Sequence, residues 1–128
     1  MDEAKKGSVL IVDDETPNLK VLTHILSSEY TIYTAKDGLT AVEMAKKYMP
    51  DLILLDVVMT DMDGYEVLSI LKASDKTRAI PIIFISGLNS SEDEEKGLAL
   101  GAVDYIGKPF SAATVKSKVQ KQIYSNLI

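Results

Sequence analysis

What most constrains this chain is its alternation of short apolar runs with longer amphipathic stretches. "SVLIV" (8–12), "YTIYTA" (30–35), "DLILL" (51–55), "IPIIFIS" (80–86) and "VDYI" (103–106) are too short for helices, and most are rich in β-branched residues. Helix-length segments with apolar residues three or four apart lie between them, a pattern that predicts β–α units and a parallel sheet. Thr16 is expected to cap a first helix from Pro17 that buries Val21, Leu22, Ile25 and Leu26. A second helix is expected at about 39–48 with Ala41, Val42 and Ala45 inward, and a third near 64–73 with Val67, Leu68 and Leu71 inward. "SSEDEEKGLALG" reads as a helix with serine caps, an acidic first turn and a stop at Gly101. Ser111 is placed to cap a last helix carrying Val115, Val119 and Ile123. The fold class is α/β, a doubly wound parallel sheet of five strands with helices on both faces.

Size and charge narrow the functions available. A chain of 128 residues fits one domain, spanning 1–128 with a core at about 8–125, and buries enough surface to fold without a metal or disulfide. It has no cysteine, so thiolate chemistry is excluded. No apolar run is long enough to cross a bilayer, and "MDEAKKG" is too charged for a secretory leader, so the expectation is a cytoplasmic protein without membrane insertion. A net charge of -5 argues against direct binding to nucleic acid.

The chemistry gathers where the strands end. In open parallel sheets, ligands bind beyond the carboxyl ends of the strands. The first run ends in Asp13 and Asp14, the third in Asp56, the fourth in Ser86, and the fifth is followed closely by Lys108. An unpaired carboxylate in a dry core is costly, so Asp56 is expected at an exposed strand tip. Clustered carboxylates repel one another unless a hard cation lies among them, and Mg2+ is the cation whose usual oxygen ligands include a phosphate. That leaves a phosphoryl group as the missing partner.

"LIVDDE", "LILLDVVMTDMDGYE", "FIS" and "GAVDYIGKPF" together resemble the receiver domain of two-component response regulators, from about Ser8 to the last helix. The resemblance implies the flavodoxin-like strand order 2-1-3-4-5. It also implies that Asp56 is the phosphoacceptor, taking a phosphoryl group from a sensor histidine kinase or a histidine phosphotransfer protein. Mg2+ would then be held by Asp14, Asp56 and the backbone carbonyl of Val58, with Asp13 acting through water. Lys108 matches the lysine that pairs with the phosphoryl oxygens, Ser86 the switch hydroxyl, and Tyr105 the aromatic that turns inward with it. Lys108–Pro109 matches a cis peptide. The implied protein is a signalling switch rather than an enzyme with a free substrate. It would phosphorylate itself, lose phosphate slowly, and signal to a downstream effector protein or domain or through a phosphorylation-dependent dimer.

Three positions depart from the family pattern: Thr60 where proline is usual, Gly87 where alanine is common, and Gly107 where threonine or valine often stands. None removes a chemical group from the site. Val58 and Leu88 flank the implied path of hydrolytic water and are both aliphatic, which predicts a long-lived phosphorylated state. Two rival readings are weaker. "TDMDGYE" fails as a calcium loop because Met59 and Ile70 fall at ligand positions. A haloacid-dehalogenase-like phosphatase would need a general acid at position 58, where this chain has Val58.

Overall fold

The computed structural model describes residues 5–87 and 91–127, apart from the side chains of 126 and 127. Its elements alternate β1 (Ser8–Val12), α1 (Thr16–Leu26), β2 (Thr31–Ala35), α2 (Gly38–Tyr48), β3 (Leu52–Asp56), α3 (Gly64–Ala73), β4 (Ile82–Ser86), α4 (Ser91–Leu100), β5 (Asp104–Gly107) and α5 (Ala112–Leu127). The strands form one parallel sheet in the order β2-β1-β3-β4-β5.

Period-two alternation divides the core into two layers. Val9, Ile11, Leu52, Leu54, Ile83 and Ile85 face the helices α1 and α5, where they meet Leu22, Leu26, Val115 and Val119. Leu10, Val12, Ile53, Leu55, Ile82 and Phe84 face the other way, toward α2 and α3, where they meet Ala41, Ala45, Leu68 and Leu71. β3 and β4 are buried at every position, as central strands covered on both faces should be. The edge strand β2 exposes Thr31 and Thr34, half-buries Ile32 and Tyr33, and buries Ala35.

Four local expectations are corrected. Thr16 does not cap α1: it is already the first helical residue, and Glu15 occupies the cap without a side-chain hydrogen bond, its own N–H donating to the Asp13 carboxylate. Val21 is not buried but 49% exposed, and Leu19 takes its place inside with Leu22 and Leu26. β4 begins at Ile82, with Pro81 just before it accepting the Ile53 N–H of β3 through its carbonyl, and β5 runs from Asp104 to Gly107. Ser111 does cap the last helix, accepting the Thr114 N–H, and Gly101 ends α4 with a φ of 119°. Ser90, the expected cap of α4, lies outside the described residues.

Candidate functional site

The crevice is built at the carboxyl ends of β1 and β3. Asp13 follows β1 and is tied to the sheet by its N–H, which donates to the Ala35 carbonyl. Asp56 is the last residue of β3, in register with Ile85 of β4. It is not at an exposed tip: Asp56 is 3% exposed and Asp13 1% exposed. Burial is tolerated because a cation lies between them. The Lys108 ammonium donates to Asp13 Oδ2 at 3.1 Å and to Asp56 Oδ2 at 3.3 Å. Further donors share the charge: the Glu15 N–H and Asn18 Nδ2 reach Asp13, and the Val58 N–H reaches Asp56 Oδ1.

These contacts poise the site. Burial pushes the Asp56 carboxyl up, and the nearby Asp13 charge adds to it; Lys108 and the Val58 N–H offset only part, leaving Asp56 at about 6. Burial alone would lower Lys108, but the bond to Asp13 and the charges of Asp56 and Asp13 outweigh it and raise its pKa. The lysine is therefore held as a cation while the carboxylate it serves is destabilised. A destabilised buried carboxylate gains most from any further cation.

The residues fit a hard cation. Carboxylate oxygens of Asp13, Asp14 and Glu15 lie within 4.8 Å of one another beside this crevice, an all-oxygen donor set of the kind Mg2+ takes. Asp14 is half-buried and accepts the Thr60 N–H at 3.2 Å. Glu15 is the acidic neighbour that sequence reasoning passed over, although "DDE" printed it next to the pair. Asn18 and Asp61 were also missed, because their roles exist only in three dimensions. Asp61 accepts the Gly38 N–H at 3.0 Å and so fastens the loop after β3 to the start of α2.

Ser86 and Tyr105, the residues expected to form the switch, lie farther along the sheet. Ser86 ends β4, one position beyond the Asp56 partner Ile85, and is fully buried. Its carbonyl accepts the Lys108 N–H at 2.9 Å. Tyr105 is 5% exposed, so its ring already lies inward, edge-on to Phe84 at 6.4 Å. Its hydroxyl is buried without a hydrogen bond of good geometry. Burial raises the Tyr105 pKa, an effect that the neighbouring Ser86 hydroxyl opposes. Lys108–Pro109 is cis. The Val58 side chain is 58% exposed, and Leu88 lies outside the described residues.

Comparison with known proteins gives this arrangement its class. The family model for the response regulator receiver domain matches residues 9–120, and the chain belongs to that family. It is 41% identical over 123 residues to a probable cyclic di-GMP phosphodiesterase of Vibrio cholerae, covering 96% of this chain and 28% of that protein. It is 41% identical over 113 residues to response regulator PleD of Caulobacter vibrioides, covering 88% of this chain and 25% of PleD. The chain thus spans about a quarter of each relative's length. Among solved structures, the receiver domain of sensor histidine kinase PA1611 from Pseudomonas aeruginosa superposes with a TM-score of 0.86 at 31% identity. The match covers 94% of this chain and 99% of that one, whose active-site cleft holds a coordinated magnesium ion. These matches give no support to a phosphatase. Among the described residues, no helix is long and apolar enough to cross a membrane.

Proposed function

We propose that this domain is a phosphorylation-controlled signalling switch in which Asp56 receives the phosphoryl group. The observation that carries the reading is the Lys108 ammonium bridging Asp13 and Asp56 at the buried ends of adjacent strands. In the transfer, an Asp56 carboxylate oxygen forms a bond to phosphorus while the phosphorus–nitrogen bond of a donor phosphohistidine breaks. The electron pair returns to the imidazole, which takes up a proton. Such transfers ask mainly for positioning and charge neutralisation. Lys108 supplies one positive charge and can follow the oxygens as they pass from donor to Asp56. Asp13, Asp14, Asp56 and the Val58 carbonyl would hold Mg2+, which supplies further charge neutralisation at the phosphoryl oxygens when bound.

A sensor histidine kinase or a histidine phosphotransfer protein in the cytoplasm is the donor. Ser86 and Tyr105 connect the modified carboxylate to the α4 side of the domain, where a downstream protein or a second copy of the domain reads the change. A ligand shifts such an equilibrium only through its differential affinity for the two states. Aliphatic Val58 and Leu88 offer no hydrogen bond to an attacking water, so hydrolysis is slow and the signal persists. Intact-mass measurement with acetyl phosphate and Mg2+ tests the assignment. The parent should gain one phosphoryl group and Asp56→Asn none, and an undiminished adduct on Asp56→Asn would refute the assignment.

A further inference from the structure

The loop from Val57 to Asp63 is pinned more firmly than its exposed tip suggests. At its start, the Val58 N–H donates to Asp56. At its end, the Gly64 N–H donates to the Val57 carbonyl at 2.7 Å, and the Asp63 carboxylate caps α3 through the Glu66 N–H. Between them, Asp61 grips the Gly38 N–H with both oxygens, at 3.0 and 3.2 Å. The backbone of residue 60 is therefore presented to its neighbours in one orientation. Its N–H donates to Asp14 Oδ2, joining the end of β1 to the loop after β3 across 46 residues of sequence.

The carboxylates differ in how they are held. Asp13 has Lys108, Asn18 and the Glu15 N–H, and Asp56 has Lys108 and the Val58 N–H. Among the described residues, one hydrogen bond reaches Asp14, and it comes from Thr60. Asp14 is also half-buried, where a carboxylate without a donor would turn freely and would have to be ordered when a cation arrives. We propose that Thr60 is a positioning residue whose backbone N–H fixes the Asp14 carboxylate for Mg2+. This rests on the metal reading given above. The contribution is from the peptide group, so any residue except proline supplies it, and the threonine hydroxyl is not required.

The test separates peptide from side chain. Mg2+ affinity of the unphosphorylated protein is measured by amide NMR titration for the parent, Thr60→Ala and Thr60→Pro. A fourth protein carries an ester in place of the 59–60 amide, which removes the N–H without a proline ring. Thr60→Pro and the ester should each weaken Mg2+ binding about fivefold, the effect of one solvent-screened hydrogen bond to a charged group, with Thr60→Ala unchanged. The rate of labelling by acetyl phosphate should be unchanged at saturating Mg2+, while the Mg2+ concentration for half-maximal rate rises by the same factor. An ester that binds Mg2+ as tightly as the parent, or more tightly, overturns the proposal. So does Thr60→Ala weakened as much as the ester. A parent that binds no Mg2+ overturns the metal reading itself and this inference with it.

Discussion

α3 and α4 are both ten residues long, and each follows a fully buried central strand, one ending in Asp56 and the other in Ser86. They are held very differently. α3 buries Gly64, Val67, Leu68 and Leu71, and Asp63 caps it through the Glu66 N–H. Gly64 is essential to its approach, because a Cβ there would lie 2.5 Å from the Asp56 carbonyl oxygen. α4 buries Gly97, while Leu98 and Leu100 remain 43% exposed. Its hold on the domain is aromatic: Gly97 lies over Phe84, and the Lys96 ammonium sits 4.2 Å above the Tyr65 ring. A helix with few buried apolar contacts opens at low free-energy cost, as the α4 side of the proposed switch would require. The anchored helix follows the strand that ends in Asp56, and the lightly held one follows the strand that ends in Ser86.

The largest effect expected from this contrast is in the two apolar faces. Leu71→Ala, at a fully buried site of α3, should cost about 2–5 kcal/mol of global stability, and Leu98→Ala on α4 no more than about 0.5 kcal/mol. Urea unfolding of both variants measures this. A Leu98→Ala loss as large as that of Leu71→Ala would remove the distinction between the helices.

Much of this was legible in the chain, and the failures have a common cause. The strands were readable because central strands buried on both faces print as continuous apolar runs, and "LILL" and "IIFI" leave no other reading. The inward faces of α2, α3 and α5 followed from their spacing. Val21 was misplaced because Leu19, Val21, Leu22 and Ile25 fit two overlapping faces, and only the packing of α1 on β1 and α5 chooses between them. At the site, the residue types were evident but not their partners. Asp56 was expected in solvent because its compensating cation, Lys108, lies 52 residues away in sequence. Backbone donors such as the Thr60 N–H leave no signature in the side-chain alphabet.

Asp56 supplies the next effect, at the root of α3. Its carboxyl is raised from 3.8 to about 6, so the folded protein holds a proton there more tightly than the unfolded chain does. Above the unfolded value this costs stability: the cost grows as pH rises from about 4 to about 6 and is constant beyond. Asp56→Asn removes it. In chelator, the variant should be more stable than the parent by about 3 kcal/mol at neutral pH, with the gain shrinking as pH falls from about 6 toward about 4. Urea midpoints across that range decide it, and a gain that is absent or independent of pH would show that Lys108 and the Val58 N–H compensate the buried charge fully.

A smaller and more local effect is expected at Gly97. A Cβ there would stand 2.8 Å from Phe84 Cδ2 and 3.1 Å from Cε2, so Gly97→Ala must push α4 outward or turn the Phe84 ring. The ring is fully buried between Tyr65 and Tyr105, so the helix is the part that yields. The overpacking should cost about 1–2 kcal/mol and appear as faster amide exchange within α4, with α3 unchanged. Equal acceleration in both helices would mean that they open as one unit.

The smallest effect sharpens the comparison most, because it touches the tie between the two helices. Lys96 on α4 holds its charge over Tyr65 on α3, and Asp63, Glu66 and Ser69 line the same cleft. Lys96→Met keeps most of the side chain's length and apolar stem but removes the cation, so what is lost is the attraction to the ring and to the flanking carboxylates. For an exposed ammonium this amounts to about 0.5 kcal/mol. Global stability should hardly move, since α3 is secured by its own buried face. If α4 opens independently, its amides should exchange about twofold faster, the factor that 0.5 kcal/mol corresponds to, while those of α3 keep the parent rate. High salt should reduce the difference between parent and variant, because exposed charges are screened. Exchange in α4 that is identical in parent and variant at low salt would show that Phe84 and Gly97 alone carry the docking, and that the Lys96–Tyr65 contact contributes nothing to holding the helix in place.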